Sequence, residues 1–210
     1  DGCSACEGVD FGARILSRSA ELAMDYYRDN YRYHYLGFGL KVINKASEAI
    51  KILNLSDVCL AATLLVAAID DFNIIIRAYG DGVIVLTNKD GANEVIHIEY
   101  ESGAPNYLSY HLNPESQKAY DKECNLPVLV TTNGVTKNYT IHDNLEWTFS
   151  INDFDRVSLI SDGINTFKRP GEDNIPYSDL INDFTGFKNT NRVFVQRRMN
   201  AFKKKCLAEQ

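Results

Sequence analysis

A change of hydrophobic period part-way along the chain constrains its fold more than any other feature. Up to Leu53 the apolar residues recur at helical spacing, and from Ala61 they fall into short runs separated by turn residues. Asp10 suits the N-cap of a first helix, whose apolar residues Phe11, Ile15, Leu22 and Tyr26 recur near a period of about 3.6. A second helix is expected from about Phe38. Its stripe is Ile43, Ala46, Ile50 and Leu53, with Lys41, Lys45, Glu48 and Lys51 off that face. Residues 61–69, 73–79, 83–87 and 94–100 then alternate with Asp70-Asp71, Gly80-Asp81-Gly82 and Asn88-Lys89-Asp90-Gly91. That pattern predicts a four-stranded antiparallel meander.

Residues 101–125 are polar, hold Gly103, Pro105 and Pro114, and show no sustained period, so they read as a long excursion over the surface. Strands resume at 127–132, where Asn133-Gly134 predicts a type I′ hairpin into 136–141, and again at 156–160. Residues 192–207 carry Val195, Met199, Phe202 and Cys206 on one helical face. Helices grouped around antiparallel strands predict an α+β domain of two packed sheets with helices outside.

At 210 residues, 45% hydrophobic and 24% charged, the chain has the composition of a folded globular protein and is expected to form a single domain over residues 1–210. Its 22 basic and 28 acidic residues leave a formal charge of −6, which disfavours nucleic acid and anionic membranes as partners. The longest apolar run, residues 58–69, is 12 residues long and contains Thr63, against the roughly 20 that a membrane span needs. Five cysteines, Cys3, Cys6, Cys59, Cys124 and Cys206, have no regular spacing and read as reduced thiols in a cytoplasmic protein. The sequons at Asn54 and Asn138 are then coincidental. The opening lacks Met, so an excerpt of a longer chain, or one from which something upstream has been removed, is expected.

Two Asp-Gly pairs, Asp1-Gly2 and Asp162-Gly163, stand at the edge of apolar or small-residue runs. Asp162 follows Val157-Ser158-Leu159-Ile160-Ser161, so its carboxylate is expected at the end of a central strand, where burial is costly unless it is paired or holds a cation. Oxygen-rich sites suit Mg²⁺ or Mn²⁺, although an Asp-Gly pair on its own more often makes a simple turn. Gly80-Asp81-Gly82 fits a tight hairpin. Cys3-x-x-Cys6 offers only two zinc ligands. His34, His97, His111 and His142 are scattered over different patterns, with His111 in the excursion. Arg197-Arg198 and Lys203-Lys204-Lys205 fit a solvated helix end. Tyr26, Tyr27, Tyr31, Tyr33 and Tyr35 suit a core edge near the leading helices, or a partner surface.

Asp1-Gly2-Cys3-Ser4, followed by Asp10-Phe11-Gly12-Ala13-Arg14, resembles the second metal motif and first helix of the type-2C metal-dependent serine/threonine protein phosphatases, the bacterial branch above all. Ala62-Thr63-Leu64-Leu65 resembles that family's strand after the second helix. Tyr79-Gly80-Asp81-Gly82 resembles its Gly-Asp-Ser hairpin, and Leu159-Ile160-Ser161-Asp162-Gly163 its Ser-Asp-Gly strand end. The four motifs fall in family order from Asp1 to about Leu207. The resemblance implies a four-layer αββα sandwich, two antiparallel sheets flanked by helices, with a dinuclear Mg²⁺ or Mn²⁺ site at one end. Asp1 would bridge two ions, Gly2 would lend its carbonyl oxygen and Asp162 would hold one ion. Asp81 matches a position associated with a third, looser ion, although Gly82 replaces the usual Ser. The 101–125 excursion matches part of the region where family members carry a substrate-contacting flap.

That resemblance implies hydrolysis of phosphoserine or phosphothreonine in a phosphorylated protein, with a cognate serine/threonine kinase as a further partner. The absence of a nucleophile motif accords with attack by a metal-activated water. An earlier strand with an acidic residue and a phosphate-binding Arg is expected before Asp1, and a late Asp after Gln210. Metal binding by these 210 residues alone is therefore expected to be weak. The alternatives are a pseudophosphatase or phosphoprotein-binding regulatory module with an incomplete metal site, and an unrelated α+β interaction domain.

Overall fold

The computed structural model describes residues 9–27, 34–168, 175–187, 189–191 and 193–208. Asp1, Gly2, Cys3, Cys6, Tyr31, Tyr33 and Arg192 lie outside the described residues. The chain divides into two compact units, Asp1–Ser161 and Asp162–Gln210.

The first unit opens with α1 (Val9–Tyr27) and α2 (Tyr35–Ile52), and a 3₁₀ turn at Asp57–Leu60 leads into the strands. These are β1 (Leu64–Ile69), β2 (Asn73–Tyr79), β3 (Gly82–Asn88), β4 (Asn93–Tyr100), β5 (Val128–Thr132), β6 (Val135–Tyr139), β7 (Glu146–Ser150) and β8 (Phe154–Ile160). All pairings are antiparallel, in a three-stranded sheet ordered β1-β2-β7 and a five-stranded sheet ordered β6-β5-β4-β3-β8. The α+β class with two antiparallel sheets and flanking helices is thus as the sequence predicts.

Alternation along β1 and β2 assigns each face of the smaller sheet. Leu64, Val66 and Tyr79 join the cluster built by Leu16, Ala20, Ala23, Phe38, Val42, Ile43, Ala46 and Ile50 of the two helices. Ile74, Ile76 and Ala78 point the other way, into a second core with Ile84, Leu86, Ile96, Ile98 and Val130 of the larger sheet. The register agrees, since Leu64 lies opposite Tyr79 on one face and Ala67 opposite Ile76 on the other. On the helix face Arg77 pairs with Glu146 and lies 5.0 Å from the Phe38 ring centroid.

Several sequence expectations need correction. Helix α1 starts at Val9, which places Asp10 inside its first turn rather than at its cap, and its buried face is Leu16, Ser19, Ala20 and Ala23. Phe11 and Leu22, expected inside, are 60% and 42% exposed. Small residues win because α1 packs close: a Cβ on Gly12 would fall 1.6 Å from the Cys59 carbonyl oxygen. In α2, Ile43, Ala46 and Ile50 are buried as expected, but Leu53 falls just past the helix end and is exposed.

The four-stranded meander does not form, because β2 and β3 belong to different sheets. Strand β7, absent from the sequence reading, takes the place beside β2. Strand β8 is not central. It pairs only with β3 and forms an edge of the larger sheet among the described residues. The excursion holds a 3₁₀ turn (Leu108–Leu112) and α3 (Pro114–Glu123), where Asn113 accepts from the Glu115 N–H at 2.9 Å and Pro114 begins the first turn. The Asn133-Gly134 hairpin is as expected, with φ of 49° and 84°.

The second unit holds a 3₁₀ turn (Asp162–Thr166), α4 (Tyr177–Thr185) and α5 (Phe194–Ala208). Phe167, Phe184 and Phe202 form a ring triad with centroids 4.9–5.5 Å apart. Arg198 bonds the Asn182 carbonyl at 2.8 Å and also the Asp183 carbonyl, so it caps the end of α4, while Lys205 reaches the Asp183 carboxylate at 2.8 Å. On α5 Phe202 is buried as expected, whereas Val195 is 54% exposed.

Gly→Ala in a helix interior ordinarily stabilises by up to about 1 kcal/mol. Gly12→Ala should instead destabilise by about 1–3 kcal/mol, because the added methyl overlaps the Cys59 carbonyl and must push α1 off its seat. Urea unfolding of the variant beside the wild type checks the sign.

Candidate functional site

Polar and aromatic residues converge around the crossover from β2 to β3. Tyr79 ends β2 in the smaller sheet, Gly80 and Asp81 follow, and Gly82 opens β3 in the larger one. Such an abrupt change of sheet needs backbone angles that side chains disfavour, and Gly80 and Gly82 have φ of +117° and +140°. Both glycines are also hemmed in. A Cβ at position 80 would lie 2.6 Å from Thr63 Oγ1, and one at position 82 would lie 2.6 Å from the Ile160 carbonyl oxygen. The predicted tight hairpin is therefore a sheet-to-sheet crossover. The Ser of the resembled motif is disfavoured at position 82 for the same reason.

Asp81 is half-buried, and Thr63 Oγ1 donates to its Oδ1 at 2.8 Å. Tyr100, at the end of β4, is buried nearby. Burial pushes its phenol well above the ordinary tyrosine range and the Asp81 charge pushes the same way, against backbone hydrogen bonds from Asn106 and Gly80. The phenol therefore stays neutral beside the carboxylate.

Tyrosines brace the approach to the crossover. Tyr35 stacks on Tyr79 with centroids 4.5 Å apart, Tyr79 Oη donates to the Tyr35 carbonyl at 2.6 Å, and Tyr35 Oη donates to the Ala78 carbonyl. The excursion is tied down as well. Tyr120 Oη donates to the Ala104 carbonyl at 2.7 Å, its ring stacks on Tyr110 at 4.9 Å, and Asn106 Nδ2 donates to the Ile141 carbonyl at 3.0 Å.

The register Val83 opposite Ile160 sets the start of β3 beside the end of β8. From Ile160 the chain passes through Ser161 to Asp162, the exposed first residue of a 3₁₀ turn in which Thr166 Oγ1 donates to the Gly163 carbonyl at 2.8 Å. Asp162 is thus neither buried nor at the end of a central strand, and the burial cost expected for it does not arise.

Among the described residues no group of three or more His, Cys, Asp or Glu side chains forms a metal cluster. Of the implied donor set, Asp1 and Gly2 lie outside the described residues, and the carboxylates Asp81 and Asp162 remain. Carboxylate oxygen fits a hard ion such as Mg²⁺ or Mn²⁺ in kind. The four histidines stand on separate elements, with His34 ahead of α2, His97 on β4, His111 on the 3₁₀ turn and His142 beyond β6. Cys59, Cys124 and Cys206 are free thiols.

No family model, curated protein or solved structure matches the chain. No helix among the described residues is long and apolar enough to cross a membrane.

Residue pattern does not mark Thr63 or Tyr100 as site residues, since each falls within a predicted apolar run or strand. A signal existed for Thr63, since it is the one hydroxyl in the apolar run of residues 58–69. A polar group in such a run must find a partner.

Two predictions follow from this geometry. Gly82→Ser should destabilise by about 1–3 kcal/mol from backbone strain alone, with the Ile160 overlap adding to it, as thermal unfolding would register. His97 lies opposite Val83, and burial lowers its imidazole below the usual value near 6.5, against the Glu99 charge, which raises it. Below pH ~6.5 the unfolded chain binds this proton more readily, so stability falls with acidification toward the folded value and is untouched above ~6.5. The drop in Tm from pH 7 to 5.5 should be smaller in His97→Gln than in wild type.

Proposed function

We propose that this protein is a metal-dependent protein phosphatase that hydrolyses phosphoserine and phosphothreonine through a water activated by two divalent ions, Mg²⁺ or Mn²⁺. The observation that supports the reading best is the β3–β8 register. The crossover bearing Asp81 enters β3 beside the end of β8, the strand that runs on directly into Ser161-Asp162-Gly163. Those two segments carry the Asp-Gly motifs of the resembled family, on a two-sheet α+β framework of the kind that the resemblance implies. The ions supply a water of lowered pKa and a clamp on the phosphoryl oxygens.

The chain's own part is charge and position. Two divalent ions concentrate about four positive charges, and carboxylates must offset their repulsion. By the family resemblance, Asp1, the Gly2 carbonyl oxygen and Asp162 would hold the ion pair, and Asp81 would hold a third, looser ion. The substrate is a phosphorylated protein, with a cognate serine/threonine kinase as the opposing enzyme. The free thiols of Cys59, Cys124 and Cys206 suit a cytoplasmic setting.

The native-length protein should hydrolyse an aryl phosphate with Mn²⁺ and lose that activity to a chelator. Asp162→Asn should abolish turnover while shifting Tm by no more than about 2 °C, because position 162 is exposed. Hydrolysis indifferent to chelator, or a fully active Asp162→Asn, would defeat the proposal. Binding of a phosphopeptide without Mn²⁺-dependent hydrolysis would identify a regulatory module instead.

A further inference from the structure

Thr63 sits between buried Ala62 and Leu64, at the entry to β1, in a run where Val would satisfy packing and strand propensity equally well. Its hydroxyl is nonetheless engaged, donating to Asp81 Oδ1 at 2.8 Å across 18 positions of sequence. The approach is enforced from the other side, because a Cβ at position 80 would meet the same Oγ1 at 2.6 Å. Only glycine there leaves the hydroxyl room to lie against the crossover. A hydroxyl bonded to an ionised carboxylate makes a charge-assisted contact that fixes the rotamer and leaves the other lone pairs in defined directions. Outer partners of this kind orient metal-binding carboxylates.

We propose that Thr63 is a positioning residue that holds the Asp81 carboxylate in place for the loosely bound divalent cation. This rests on the metal-dependent reading given above. Serine should serve in place of threonine, and valine, of nearly the same shape, should not.

The test is Mn²⁺ titration by calorimetry and Mn²⁺ electron paramagnetic resonance on the native-length protein and on Thr63→Val, Thr63→Ser and Asp81→Asn. Wild type should show tight binding and one weaker step. Thr63→Val should weaken that step about tenfold or more, Asp81→Asn should remove it, and Thr63→Ser should keep it, with the tight step unchanged throughout. If Thr63→Val fails to fold, Thr63→Ala is read in its place with the same expectation.

Three results overturn the role of Thr63 and leave the phosphatase reading standing. These are a weaker step equal in Thr63→Val and wild type, equal losses in Thr63→Val and Thr63→Ser, and tight binding with no weaker step in wild type. No Mn²⁺ binding by wild type overturns both proposals.

Discussion

Between Tyr79 and Val83 the chain leaves a three-stranded sheet and enters a five-stranded one, and it does so through backbone angles of +117° at Gly80 and +140° at Gly82. Both sheets of the larger unit are organised around that step. Strand β2 is the middle strand of its sheet, between β1 and β7, and β3 lies between β4 and β8 in the other. A side chain at either glycine would collide with a neighbour on which the framework depends, Thr63 at the head of β1 or Ile160 at the end of β8. Two sheets that share one core of Ile74, Ile76, Ile84, Leu86, Ile96 and Ile98 are therefore joined at this crossing through two residues without side chains.

Local pattern was legible in the sequence wherever the partner of a segment is adjacent in the chain. Strands β2, β3 and β4 fall at or within a residue or two of their expected bounds, because each is an apolar run closed by turn residues. The Asn133-Gly134 hairpin was legible because both of its residues tolerate positive φ. Pairing over distance was not legible. An apolar run says that a strand forms, without saying which sheet receives it, so β2 and β3 look like hairpin partners although they never bond. Strand β7 shows the same limit: Trp147 and Phe149 do alternate with Glu146 and Thr148, but five residues so spaced become a strand only because β2 offers an edge.

The buried face of helix α1 is hidden in the sequence for a different reason. Ranking by size selects Phe11 and Leu22, whereas the contact is set by how closely the backbone approaches the segment around Cys59. A close approach rewards Gly12, Ala20 and Ala23, with Leu16 the one large side chain fully buried on that face among the described residues and Phe11 and Leu22 left outside. The excursion holds the opposite lesson. Asn113-Pro114 is a helix-start signal that stands out even without a hydrophobic stripe, and α3 has little stripe to show, with Tyr120 as its buried residue.

Of the candidate site, the sequence displays the carboxylates but not what holds them. Asp81 and Asp162 are conspicuous because each precedes a glycine, and that spacing is silent on environment: one is half-buried against a threonine and a neutral tyrosine, the other exposed in a 3₁₀ turn. The difference bears on chemistry. A carboxylate clamped by Thr63 has already lost its rotamer freedom, so binding a cation costs it little further ordering, whereas an exposed one must be ordered at the moment of binding. On the proposed metal-dependent reading, affinity at Asp81 would be set by the fixed crossover, and affinity at Asp162 by whatever else would share its ion. Glycine at position 82 fits this division: the crossover already has a hydroxyl partner for its carboxylate in Thr63, and the backbone there has no room for a second.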